Sequence, residues 1–126
     1  MEWQFDNSMP IYTQLVDKIK LAIVSGEYAP GQRLPGVREL AAEAGVNPNT
    51  MQRAFAELER LELVYTQRNS GRFVTEDTKV VNSTKETLAK ESVRSFMSAM
   101  QHIGYTKDDI IKLLESSERE DSNGNT

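Results

Sequence analysis

In the stretch PIYTQLVDKIKLAIVSG, Ile11, Leu15, Ile19, Ala22 and Ile23 recur at the spacing that gathers side chains on one face of a helix. Pro10 suits the start of that helix and Gly26 its stop, so the pattern predicts a helix over about residues 10–25. Pro30-Gly31 and Pro35-Gly36 then break the period around a short extended piece at Gln32 to Leu34. Val37, Leu40, Ala41 and Ala44 follow at i, i+3, i+4 and i+7, predicting a brief helix over 36–44 that ends at Gly45. Next, Asn47 is a natural N-cap and Pro48 fits the first helical position, where its missing N–H has no partner to lose. The helix predicted from 48 to about 61 keeps Met51, Ala54, Phe55, Leu58 and Leu61 on one stripe and Asn49, Gln52, Arg53, Ala56 and Arg60 opposite.

After Leu61 the period shortens to that of strands. Val64 and Thr66, then Phe73 and Thr75, flank a polar tip in which Asn69 and Gly71 both tolerate positive φ, the mark of a β-hairpin. The compact unit is expected to end near Asp77. Beyond it, Ser83 with Glu86 has capping-box spacing ahead of a helix of roughly 20 residues closing at Gly104. Thr106 with Asp109 repeats the device for a second helix, expected to reach about Ser117. From Arg119 the tail is polar, and disorder is expected there.

These last helices each carry one apolar side: Leu88, Val93, Phe96, Met97, Met100 and Ile103 on the long one, Ile110 and Leu114 on the other. Two such helices cannot cover each other completely. A twofold interface lets the same stripe cover itself, so these residues are expected to form a homodimer seam; packing back onto the first domain is the alternative. The fold class predicted is therefore mainly α with a small β-hairpin: a winged helix-turn-helix over 1–77, a two-helix dimerisation segment over 78–118 and a tail over 119–126.

Composition narrows the function. With 126 residues, 38% hydrophobic and 27% charged, the chain is long enough for one compact domain plus an appendage, and no apolar run reaches the roughly 20 residues that span a bilayer. The absence of an apolar leader and of cysteine points to a soluble cytoplasmic protein with no membrane partner. Without cysteine and with one histidine, His102, there is no nucleophile pair, no metal-ligand spacing and no phosphate-cradling glycine loop, so no enzyme, cofactor or metal is expected. His102, at the end of the long helix, is read as a partner of the helix dipole.

A net charge of −4, from 15 basic and 19 acidic residues, argues against indiscriminate coating of nucleic acid. The distribution matters more than the sum. Residues 44–56 and 63–75 contain no Asp or Glu but do contain Arg53, Arg68 and Arg72. A short helix, a glycine turn and a second helix with a polar outer face make a helix-turn-helix, to which the hairpin adds a wing. In that arrangement the second helix lays its first turns in the major groove, where Asn and Gln pair with adenine, Arg with guanine or phosphate, and a carboxylate would repel the backbone.

The stretch PIYTQLVDKIKLAIVSGEYAPGQRLPGVRELAAEAGVNPNTMQRAFAELERLELV with SGRFV resembles the N-terminal winged helix of GntR-family bacterial transcription regulators across nearly all of residues 9–76. The short two-helix C-terminal part and VNPNTMQRAF resemble the YtrA subfamily, in which the tail is similar to a dimerisation module. The resemblance implies double-stranded operator DNA as partner, with contacts from Arg38, from Asn47, Asn49, Thr50, Gln52 and Arg53, and from Arg68 and Gly71 on the wing. Three departures stand out. Gly36 replaces the family's usual serine cap; Pro48 and Gln52 replace common arginines; and Asn69-Ser70-Gly71-Arg72 replaces a Gly-x-Gly-Thr wing, with Arg72 adding a charge for phosphate.

The function expected is a homodimeric, sequence-specific regulator, most often a repressor, on an inverted repeat. The rival is a winged helix used for protein contact without DNA. About 40 ordered C-terminal residues leave little room for a dedicated effector pocket of several hundred Å3, so an effector stays unknown and Phe96, Met97 and Met100 are read as dimer core. Trp3 and Phe5 are read as an apolar latch onto the winged helix, with contact to the partner protomer as the alternative.

Overall fold

The structure, a computed structural model, describes the backbone of residues 1–124 and the side chains of residues 1–118. The elements run α1 (Ile11–Val24), α2 (Val37–Ala44), α3 (Pro48–Arg60), β1 (Val64–Gln67), β2 (Gly71–Val74), α4 (Thr78–Ile103) and α5 (Lys107–Gly124). This is the mainly helical class with one hairpin that the hydrophobic pattern predicts. The contacts divide the chain into two compact units, Met1–Lys85 and Glu86–Thr126.

The first unit is built around α3, which packs against both α1 and α2. Its stripe of Met51, Ala54, Phe55 and Leu58 is buried, and Leu15, Val16 and Ile19 of α1 with Leu40 and Ala41 of α2 close over it. Burial of a side chain the size of Phe55 or Leu58 is worth about 1.5–3 kcal/mol, so this cluster holds the unit together and fixes the direction of α3. Gly45 ends α2 at φ 71°, a left-handed position that glycine adopts without the steric cost of a Cβ.

In the hairpin, β1 and β2 pair antiparallel in the register Val64↔Val74, Tyr65↔Phe73, Thr66↔Arg72 and Gln67↔Gly71. Val64 and Val74 face the core, whereas Tyr65 and Phe73 stack on the other face with centroids 5.7 Å apart. Asn69 at φ 66° and Gly71 at φ 111° turn the tip. The extended piece at Gln32 to Leu34 lies along β2: Leu34 N–H donates to Arg72 O at 2.8 Å and Val74 N–H to Gln32 O at 2.9 Å.

The N-terminal segment is tied down as well. Trp3 and Phe5 stack at 6.3 Å and pack on the core cluster, and the Trp3 indole donates to Glu43 Oε1 at 3.2 Å.

Three boundaries differ from those predicted, each for a local reason. The long helix α4 starts at Thr78 rather than near Ser83, because Asp77 caps it: Lys79 N–H donates to Asp77 Oδ1 at 3.0 Å, and Asp77 N–H is itself held by Thr75 Oγ1 at 3.0 Å. Val80 then packs on the first core, and the compact unit runs on past Asp77 to Lys85. In the second unit, Gly104 at φ 96° closes α4, and Thr106 and Asp109 form the expected reciprocal box, with Asp109 N–H donating to Thr106 Oγ1 and Thr106 N–H to Asp109 Oδ2. The backbone of α5 is helical to Gly124, beyond the stop expected near Ser117 and into the stretch where disorder is expected. The side chains from 119 onward and the last two residues lie outside the described residues.

Among the described residues of the second unit, Ile110 is buried at 3% exposure. Val93, Phe96, Ile103, Ile111, Leu113 and Leu114 are exposed, Ile103 at 69%. His102 donates its Nδ1–H to Ser98 O at 2.8 Å, on the backbone at the C-terminal end of α4.

Candidate DNA interface

The start of α3 is built for display. The Asn47 side chain accepts the Asn49 N–H at 2.8 Å, Pro48 occupies the first helical position, and no acid stands in the first turn. The first-turn N–H groups are already bonded to Asn47, so what the helix start offers an anion is its positive dipole end. Asn47, Asn49, Gln52, Arg53, Ala56 and Arg60 are exposed, as the stripe opposite the core requires, while Thr50 is half-buried.

Arg38, on the exposed side of α2, shares a shallow groove of about 470 Å3 with Asn49 and Gln52. Gly36 starts α2 without any side-chain cap, so backbone rather than a hydroxyl is presented there. The groove also holds Glu39, a carboxylate that a reading of α3 alone does not include. In the major groove a carboxylate at such a place can accept from cytosine N4–H2 and repels phosphate.

The arginines around this face are in different electrostatic states. Arg60 is paired with Glu57 one turn back, its Nε 3.0 Å from each carboxylate oxygen. That hydrogen bonding holds the Glu57 carboxyl below the usual carboxylate range and raises the Arg60 guanidinium. Arg53 pairs with no carboxylate among the described residues; its Cζ lies 4.6 Å from the centroid of the Tyr12 ring on α1. On the wing, Arg68 and Gly71 are exposed at the tip.

Arg72 corrects an expectation. Read from sequence it adds a phosphate-seeking charge to the wing; in the structure it is half-buried, with its Nε 2.8 Å from Glu59 Oε1 and its guanidinium over the Phe55 ring. A guanidinium already bonded to a carboxylate brings little net charge to phosphate. The register decides this, because Arg72 faces the same side of the hairpin as Val74 and so turns toward α3.

Arg33 is the wing residue that the sequence reading passes over. It is exposed, and its Nε lies 3.1 Å from where a Cβ on Gly71 would stand. Alternation carried the signal: in an extended piece whose Leu34 points inward, the residue before it points out.

This assembly is the winged helix-turn-helix, and its likeness to known proteins is direct. The model of the family described as bacterial regulatory proteins, gntR family, matches residues 11–74. The chain belongs to the GntR family. A Bacillus subtilis relative, the HTH-type transcriptional regulator YhcF, is 41% identical over 92% of this chain and 96% of its own length. The Bacillus subtilis HTH-type transcriptional repressor YtrA is 35% identical over 78% of this chain and 76% of its own, in line with the YtrA-like motifs. A solved GntR family transcriptional regulator from Listeria monocytogenes superposes with a TM-score of 0.82 at 43% identity, covering 89% of this chain and 98% of the other. As a GntR protein the chain is a DNA-binding transcription regulator, and the protein-contact alternative finds no support in this membership. The family is one of regulators and not of enzymes. No helix among the described residues is long and apolar enough to cross a membrane.

Proposed function

We propose that this GntR regulator is a cytoplasmic repressor that binds an inverted-repeat operator as a homodimer. The observation that carries the reading is the exposed first half of α3, where Asn49 and Gln52 stand beside Arg38 and Arg53 is exposed next along the helix, with no carboxylate on α3 itself until Glu57. Arg38, Asn47, Asn49, Thr50, Gln52 and Arg53 form the reading surface, and Arg68 with Gly71 at the wing tip contacts phosphate. Arg72 shapes the wing from behind.

Dimerisation falls to the second unit. Leu88, Val93, Phe96, Met97, Met100, Ile103 and Leu114 form the seam, in support of which Val93, Phe96, Ile103 and Leu114 are 41–69% exposed in the single chain; Ile110, expected in the seam, is already buried within the single chain and backs it instead. Exposed apolar side chains concentrated on two helices are what a twofold interface removes from water. Each protomer then reads one half-site, with the two reading helices about 34 Å apart or a multiple of it. The resemblance to a protein named a transcriptional repressor supports repression over activation.

The test is selection of duplexes from a random pool by the purified chain, followed by mobility shifts at about 150 mM salt, where non-specific contacts are largely screened. An enriched palindrome bound at least about a hundredfold more tightly than random duplex supports the proposal. No enrichment overturns it.

A further inference from the structure

We infer that Tyr12 is a positioning residue for DNA readout: its ring holds the Arg53 guanidinium in place while leaving that group's charge and N–H donors unoccupied. The inference rests on the reading of α3 given above.

Three arginines, Arg53 and Arg60 on α3 and Arg72 bonded to it, make the comparison. Arg60 is bonded to Glu57 and Arg72 to Glu59, so each has a donor occupied and a carboxylate offsetting its charge. Arg53 is the one of these three held by a neutral partner alone, with Cζ 4.6 Å from the Tyr12 centroid; Arg72 lies over Phe55 but is bonded to Glu59 as well. The face of a phenol ring attracts a cation through its quadrupole and accepts no conventional hydrogen bond from the in-plane fork of the guanidinium. The fork therefore remains available for the bidentate geometry that guanine or phosphate demands.

The platform is firm. Tyr12 is half-buried and packs against the core cluster, one residue into α1, and α1 is packed along α3. An arginine on an exposed helix face ordinarily samples many rotamers, and ordering it on binding weakens the complex. Held over a core-anchored ring, Arg53 has lost much of that freedom before DNA arrives. A carboxylate at Tyr12 would order the side chain equally well but would oppose the phosphates, which makes an aromatic ring the fitting residue type here.

The experiment uses the full chain and a duplex that the unmodified protein selects from a random pool, with variants Arg53→Ala, Tyr12→Phe, Tyr12→Leu and the double Tyr12→Leu/Arg53→Ala. Tyr12→Phe, which keeps the ring, is expected to bind within about twofold of the parent. Tyr12→Leu is expected to lose about three- to tenfold on the selected duplex, and less on random duplex. Once Arg53 is alanine, Tyr12→Leu should cost nothing more. In the free protein, ring current should displace the Arg53 side-chain NMR resonances, and Tyr12→Leu should abolish the displacement.

An equal loss from Tyr12→Leu with and without Arg53, or a loss on both duplexes that tracks a lowered melting temperature, would make Tyr12 a packing residue and overturn the inference. If Arg53→Ala leaves binding intact while Gln52→Ala abolishes it, the inference falls and the proposed function stands. If neither variant alters binding, the reading of α3 itself has failed.

Discussion

Glu59 and Arg72, 13 residues apart in the chain, meet at 2.8 Å between Oε1 and Nε. The same Glu59 oxygen accepts the Thr66 hydroxyl at 2.6 Å, and Thr66 is the cross-strand partner of Arg72. One carboxylate on the reading helix thus ties down both strands of the wing, with the Arg72 guanidinium lying over the Phe55 ring between them. The angle between wing and reading helix is set by this junction and by the Val64–Val74 pair behind it.

Because Arg72 is offset by Glu59 and Arg68 is exposed, their removal should have different signatures. Arg68→Ala is expected to reduce the slope of log affinity against log salt by about one unit. Arg72→Gln should leave the slope nearly unchanged while lowering stability by roughly 1 kcal/mol, the scale of a partly exposed ion pair with a cation–π contact. Mobility shifts across a salt series, with melting curves alongside, separate the two; equal slopes for both variants would contradict the assignment.

Acid should loosen the same junction. Partial burial of Glu59 pushes its carboxyl up, but the bonds from Thr66 and Arg72 outweigh that and bring it below its ordinary value. A folded-state pKa below the unfolded one contributes stability that is present above the ordinary glutamate range and fades as pH falls through the folded value. Glu59→Gln should therefore destabilise more at about pH 7 than at about pH 2.5, where the charge-dependent part of the parent's bonding has weakened. Denaturant titrations at the two pH values check this, and a penalty that grows in acid would reverse the sign.

The Asn47 cap separates folding from recognition. Asn47→Ala removes the acceptor for the Asn49 N–H and is expected to cost about 1 kcal/mol in stability. Asn47→Asp keeps the cap and adds a charge that the helix dipole favours, so the melting temperature should be preserved or rise. DNA affinity should nonetheless fall, because the new carboxylate faces phosphate. A variant that melts like the parent and binds DNA as well would remove the N-terminus of α3 from the interface.

Phe96, exposed at 41% on α4, is the point at which to test the proposed seam. Phe96→Asp should yield monomers by analytical ultracentrifugation and weaken binding to a palindrome far more than to a single half-site. The first unit, whose core Phe96 does not join, should keep its helical signal and its melting transition. A persisting dimer would move the interface elsewhere.

Much of the first unit was legible before any coordinates. The stripe from Met51 to Leu58, the Asn47–Pro48 start, the Gly45 stop and the positive-φ positions Asn69 and Gly71 all follow from spacing and backbone sterics, which act over a few residues. Tyr12, Arg33 and Glu39 were missed because what each of them faces, Arg53, Gly71 and the Asn49–Gln52 groove, is brought to it from another element. Contacts across elements leave no periodic trace.

What the chain determined alone was the set of helices, the hairpin and the face each turns inward, because hydrogen-bond spacing and side-chain period are local properties. Tertiary structure decided which of two competent caps starts α4, since Thr75 fixes Asp77 and Val80 reaches the core there. It also decided which arginines are available to an anion. A guanidinium is offset or not according to the group that folding brings within hydrogen-bond range, and for Arg72 and Arg53 those groups, Glu59 and Tyr12, come from other elements.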